Sequence, residues 1–175
     1  MPLPTQREQL IAQLTTDVAG LGVATAAYGA AAIRRYLDTH PRATQAERSD
    51  ALAAIVSQPN AGLFTPAQAR RFANQYTPTD ALDDKVTGAG AIVLQDRHDR
   101  AFVIGVRGSD FVGHTKADLN ADHAIALNTV PMAQTVSVIN FALRATTPKD
   151  QTVVQIGVEG VVHSGDDVAR GKAKL

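Results

Sequence analysis

The hydrophobic period of this chain first changes near residue 88, and that change limits what it can fold into. Upstream, apolar side chains recur three and four positions apart, as in Leu10, Ile11, Leu14 and Val18, the spacing of one helix face. Downstream, residues 89–94 and 101–106 are short β-type runs on either side of the charged turn Asp96-Arg97-His98-Asp99-Arg100, which predicts a hairpin. A chain with this order is α/β, with an N-terminal helical region over 1–84 and a sheet-forming region over 85–175.

Within the helical region three further segments are expected. Residues 25–38 form an Ala-rich helix that ends near His40-Pro41, because the residue before proline avoids helical dihedrals. Ser49 is placed to cap a helix carrying Leu52, Ile55 and Val56. Thr65-Pro66 pairs a hydroxyl cap with proline at the first helical position, and the helix it opens presents Ala69, Phe72 and Tyr76 on one side. After the hairpin, residues 107–127 read as an irregular connection with a short helix near its end. Pro131 then opens a helix to about Arg144 with Met132, Val136 and Ile139 on its apolar face. A loop over 146–150 leads to an apolar strand over 151–158. Strand, helix and strand of these lengths predict a parallel crossover unit. The remaining residues, 159–175, form a charged tail too short for another such unit, so the sheet is expected to be incomplete.

Composition excludes several functions. Seventeen basic and seventeen acidic side chains cancel, leaving no field of one sign to attract nucleic acid or an anionic membrane. There is no cysteine, hence no disulfide framework and no thiolate metal site. The first residues lack the basic-then-apolar order of a signal peptide, and the weakly polar stretch 18–33 is too short to span a bilayer. The expectation is a soluble protein without a transmembrane segment, cytoplasmic or exported without an N-terminal signal.

Three groups of residues could carry chemistry. Val106-Arg107-Gly108-Ser109-Asp110 follows an apolar strand, where a glycine and a hydroxyl residue suit a turn whose N–H groups face a developing negative charge. A plain turn with a surface arginine fits the same residues. Asp118, Asp122 and His123 could bind a metal or share a proton, but they serve equally as an N-terminal cap of a short helix. No third acidic ligand lies nearby, so no metal and no cofactor are assigned. Gly160-Val161-Val162-His163-Ser164-Gly165-Asp166 follows the last expected strand, where a strand-to-helix turn would expose Ser164. The places two before and two after that serine need small residues, and here they hold Val162 and Asp166. A β-branched side chain crowds such a turn, and a carboxylate opposes formation of an oxyanion.

In order along the chain these pieces resemble a family. Phe64-Thr65-Pro66, Phe72 to Tyr76, Thr87-Gly88, the strand ending Val106-Arg107-Gly108-Ser109, the Asp118-Leu119-x-Ala121-Asp122 cluster and the helix from Gln134 to Arg144 resemble the N-terminal part of bacterial lipases and phospholipases related to the class 3 lipases. The likeness covers roughly residues 60–165. It implies a partial α/β-hydrolase sheet in which Ser109 matches the hydroxyl residue of the oxyanion hole and Ser164 matches the nucleophile of a degenerate elbow. It also implies that the acid and base should follow Ser164 on strands that this sequence does not contain. His163 points elsewhere than its neighbour, and the histidines at 40, 98, 114 and 123 precede the serine.

The resemblance therefore implies a lipase-type serine ester hydrolase acting on a lipid or acyl ester, truncated or incomplete and with little activity alone. A serine without an activating base is a poor nucleophile at neutral pH. A reading from another class is a non-catalytic binding or assembly module on half the hydrolase fold. Its strand over 151–158 would be an exposed edge, supporting a homo-oligomer or a complementing chain.

Overall fold

The computed structural model describes Thr5 and residues 19–59, 61, 64–107 and 131–157. The stripe from Leu10 to Val18 lies outside them, as do 108–130 and the tail beyond 157. The described residues form helices and a small three-stranded antiparallel sheet, a mixed α/β arrangement.

Residues 19–26 are helical and pass through a 3-10 turn, Ala27–Gly29, into α1, Ala30–Thr39. This helix ends as its sequence predicts. Thr39 turns its hydroxyl back to the carbonyls of Arg35 and Tyr36, and the His40 ring stacks on Tyr36 with centroids 4.5 Å apart. Helix α2, Gln45–Val56, starts five residues earlier than a Ser49 cap would allow. Its cap is Thr44, whose hydroxyl accepts from the Glu47 N–H at 3.3 Å while the Glu47 carboxylate accepts from the Thr44 N–H at 2.7 Å. This reciprocal box satisfies two orphan donors at once, an advantage that Ser49 lacks. Ser49 is instead buried in the helix interior, its hydroxyl 3.4 Å from that of Thr77. Leu52, Ile55 and Val56 are buried as expected. Helix α3, Pro66–Gln75, has the expected Thr65 cap, completed by Gln68 in a second box, and buries Ala69 and Phe72.

No linker separates α3 from the sheet. Tyr76 is both the end of the helix and the first residue of β1, Tyr76–Asp83. This strand is absent from the sequence reading, and it lies in the segment taken as helical, up to 84. It pairs antiparallel with β2, Gly90–Asp96, which pairs antiparallel with β3, Phe102–Val106. Pro78 cannot donate to a ladder, which argues against a strand here. The strand accommodates it at the sheet margin with a register shift between Pro78 and Asp80, where Thr79 Oγ1 donates to the Val93 carbonyl at 3.2 Å. The β2–β3 hairpin is the expected one, with Arg100 taking a positive φ of 66° at the turn.

Both faces of β2 are covered. Ile92 and Leu94 join Val23, Ile33, Leu52, Val56, Phe72 and Tyr76 in one core beneath the helical layer. Ala91 and Val93 join Leu82, Ala89 and Phe141 in a second core beneath α4, Met132–Thr146. The alternation of a strand sorts its side chains between the two cores, so a continuous apolar run here marks a central strand of an antiparallel sheet.

Two expectations for the C-terminal region are corrected. Residues 151–157 form no strand, so the described sheet has no parallel crossover; residue 158 lies outside the described residues. The segment docks on α4, where Asn140 Nδ2 donates to the Ile156 carbonyl at 3.0 Å and Asn140 Oδ1 accepts from the Ile156 N–H at 2.7 Å. One amide side chain thus supplies the pair of bonds that a neighbouring strand would have made. The buried face of α4 is also rotated from the expected one. Val136, Ser137, Asn140, Phe141 and Arg144 are buried, whereas Met132 and Ile139 are exposed. Three buried polar side chains disguise this face from a purely apolar count.

Candidate active site

The strand β3 ends at Val106, and Arg107 carries the chain onward toward Gly108 and Ser109. Arg107 remains tied to β2, since its N–H donates to the Gly90 carbonyl at 2.8 Å. Its guanidinium lies across Gly90 and donates through Nη2 to the Gly88 carbonyl at 2.8 Å. Gly90 permits this approach, because a Cβ there would sit 2.9 Å from Arg107 Nε. The arginine in the motif is therefore not a loose surface charge. It closes the mouth of the β1–β2 turn.

Opposite Arg107 stands the first turn of α4. Its cap position is Pro131, which has no side-chain hydroxyl or carboxylate to cover the first N–H groups, and no acidic residue lies in the turn. The uncovered end of a helix carries a partial positive charge. Between the two lies a groove of about 260 Å³. Ala89, Val106, Val138 and Ile139 make its apolar walls, and Arg107, Gln134 and Thr135 its polar ones. The Thr135 hydroxyl donates to the Pro131 carbonyl at 3.1 Å, so it is committed to the helix start.

A buried network holds the two walls together. Asp84 is 2% exposed and sits at the head of the β1–β2 turn. One carboxylate oxygen accepts from the N–H groups of Val86 and Thr87, and the other from the hydroxyls of Thr87 and Ser137. Ser137 belongs to α4, so this carboxylate fixes α4 against the turn that Arg107 closes. Asp84 and Ser137 were not singled out from the sequence. Only the position of α4 identifies Asp84, between two charged neighbours, as buried.

The chemistry available among the described residues is binding and polarisation. A positive helix end and a guanidinium flank an apolar trough, which suits a polarised carbonyl attached to an acyl chain. No described lining residue is a base. The two described histidines are remote from the groove: His40 stacks at the end of α1 and His98 lies in the β2–β3 turn at the other end of the hairpin. Ser109 and Ser164, the residues matched to the oxyanion hole and the nucleophile, lie outside the described residues, and so do Asp118, Asp122 and His123. Among the described residues no group of three or more His, Asp or Glu side chains is gathered to hold a metal ion. None of the helices among them is long and apolar enough to cross a membrane. No family model matches this sequence, and neither a curated protein nor a solved structure does.

Proposed function

We propose that the chain is a lipase-type serine ester hydrolase that binds a lipid or acyl ester at the end of β3 and turns it over little on its own. The observation that carries this reading is the groove itself. It combines apolar walls with two positive features, Arg107 and the uncapped start of α4, at the point where the chain leaves β3 toward Ser109. Family likeness of the Val106-Arg107-Gly108-Ser109 and His163-Ser164 segments supports the reaction class, and the lack of a base among the described groove residues supports low turnover.

The test is titration with a short-chain nitrophenyl ester, together with labelling by a fluorophosphonate probe and Ser164→Ala as control. Saturable binding is expected, with hydrolysis near background. Ile139→Trp, which fills the groove from an exposed position, should weaken binding about tenfold. Labelling that requires Ser164 would raise the assignment from binding to catalysis. A folded protein that neither binds the ester nor takes the label overturns the proposal.

A second reading, the non-catalytic assembly module, draws on a different observation. Among the described residues β3 is paired on one side only, and Phe102 and Val106 on it are 61% and 44% exposed. An end strand with apolar side chains attracts another chain. On this reading the self-associating edge is β3 in place of residues 151–158. Sedimentation over a wide concentration range tests it, since a strictly monomeric chain would remove its support.

A further inference from the structure

At the opposite end of the hairpin from the candidate active site, helices α2 and α3 enclose a larger groove of about 500 Å³. The two ends of the seven-residue β2 are roughly 20 Å apart at the rise of an extended strand, so the two grooves are separate. The floor of this second groove is built from small side chains, Ala46, Ala53, Ala54 and Ala73, spaced to share the facing sides of their helices. Its polar rim carries Arg70 and Asn74 from α3, Asp50 from α2 and Arg97 from the β2–β3 turn.

Arg97 is brought there by backbone geometry. Its N–H donates to the Gln75 carbonyl at 2.8 Å, and Gln75 Nε2 donates to Asp96 Oδ2 at 3.1 Å, so the hairpin turn is clamped to the end of α3. The Asp96 carboxylate is already engaged, accepting from Gln75 and from the His98 N–H at 2.7 Å. Among the described residues neither the Arg70 nor the Arg97 guanidinium makes an ion pair or a side-chain hydrogen bond. The ion pairs that do form involve Arg34 and Lys85 elsewhere. Two guanidiniums on separate elements thus share one half-enclosed groove, and among the described lining residues the carboxylate of Asp50 alone opposes them.

We propose that this groove binds a small phosphate monoester, with Arg70 and Arg97 on the phosphate and the organic part resting on the alanine floor. A carboxylate has two oxygens, which one arginine fork satisfies; a phosphate monoester has three terminal oxygens and nearly two negative charges, enough for both forks. Asn74 adds an amide donor beside them. Asp50 repels a second anionic group and accepts from a hydroxyl, so the preferred ligand carries one phosphate and a hydroxylated body.

The experiment is amide-resolved NMR titration of the full chain with glycerol 3-phosphate, inorganic phosphate and acetate. Glycerol 3-phosphate should saturate with shifts centred on Asp50, Ala53, Asn74 and Arg97, and bind more tightly than inorganic phosphate. Arg70→Gln and Arg97→Gln, both at exposed positions, should each weaken it by about tenfold while the remaining spectrum stays that of the folded chain. Absence of saturable shifts up to about 10 mM, or wild-type affinity in both variants, overturns the site. Acetate binding as well as the phosphate ester overturns the assignment to phosphate, and inorganic phosphate binding as well as the ester overturns the role of the alanine floor.

Discussion

Ser137 Oγ donates to Asp84 Oδ2 at 2.7 Å across 53 positions of sequence, and this bond joins the only long C-terminal helix among the described residues to the β1–β2 turn. Both residues are buried, so neither can exchange its partner for water without opening the second core. The relationship positions α4 beside Arg107 and so shapes the groove proposed for the acyl ester. A carboxylate that accepts four hydrogen bonds from two elements is a structural hub whose removal leaves several donors unsatisfied.

Ser137→Ala should cost about 1.5 kcal/mol and Asp84→Ala about 3 kcal/mol, because a charge-assisted bond is lost in the first and buried donors are stranded in the second. The double variant should cost less than the sum by about 1 kcal/mol or more, the mark of residues that act together. Urea denaturation of the four proteins measures this. Simple additivity would show that the two side chains stabilise the fold independently.

Gly105 gives a prediction about the other core. A Cβ at this position in β3 would lie 2.5 Å from the Val23 carbonyl oxygen and 2.9 Å from Val23 Cγ1. Gly105→Ala should therefore destabilise by about 2–3 kcal/mol through displacement of the helical segment 19–26. Adding Val23→Ala removes the methyl contact and leaves the carbonyl contact, so it should fail to restore the melting temperature. Recovery in the double variant would mean that the side chain, and not the backbone, sets the approach.

Asn140 is expected to control the segment after α4. Asn140→Ala removes both bonds to Ile156 and should cost about 2 kcal/mol, with faster hydrogen exchange at the Ile156 amide. Asn140→Asp keeps the acceptor for the Ile156 N–H, loses the donor to its carbonyl, and should protect that amide better than alanine does. Equal exchange in all three proteins would show that Val153, which is buried, holds the segment alone.

Acid stability follows from two carboxylates. The Thr44 N–H and hydroxyl beside Glu47 lower its pKa, the backbone bond contributing most. The His98 N–H, followed by the Gln75 amide, does the same for Asp96. Both folded values lie below the unfolded ones, so their contribution is complete above the ordinary carboxylate range, about pH 4–5, and is lost as pH falls through the folded values. The stability difference between the wild type and Glu47→Gln should accordingly shrink between about pH 6 and pH 3. A difference that stays constant over that window would detach the capping box from the charge of Glu47.

How far the fold could be read in advance depended on how local each signal was. Thr65-Pro66 with Gln68 states a helix start within four residues, and α3 begins there. The charged turn between two apolar runs states a hairpin, and β2 and β3 form it. The start of α2 is just as local, a Thr44-x-x-Glu47 box that a cap at Ser49 passes over; what is long-range there is that Thr77 receives Ser49 from another element. The β1 strand lies in a segment taken as helical, its ladder is broken at Pro78 and Thr79, and it exists because β2 offers a partner on which a bulge can be placed.

The candidate site divides in the same way. Arg107 was visible as part of a strand-end motif, but its closure over Gly90 required the hairpin to be formed first. Asp84, Ser137 and Asn140 carried no local mark at all, since a polar residue on a helix or in a charged turn is ordinarily solvated.

The amino-acid sequence by itself determined where helices start, where the hairpin turns and that apolar side chains would be sorted onto faces, because capping, turn chemistry and periodicity act over a few residues. Tertiary structure alone decided the rest. Whether residues 151–157 would pair as a strand or dock on Asn140, whether 76–83 would join the sheet, and which face of α4 would be buried all depend on partners distant in sequence. Burial makes those partners obligatory: a polar group removed from water must be matched by whatever the fold places beside it.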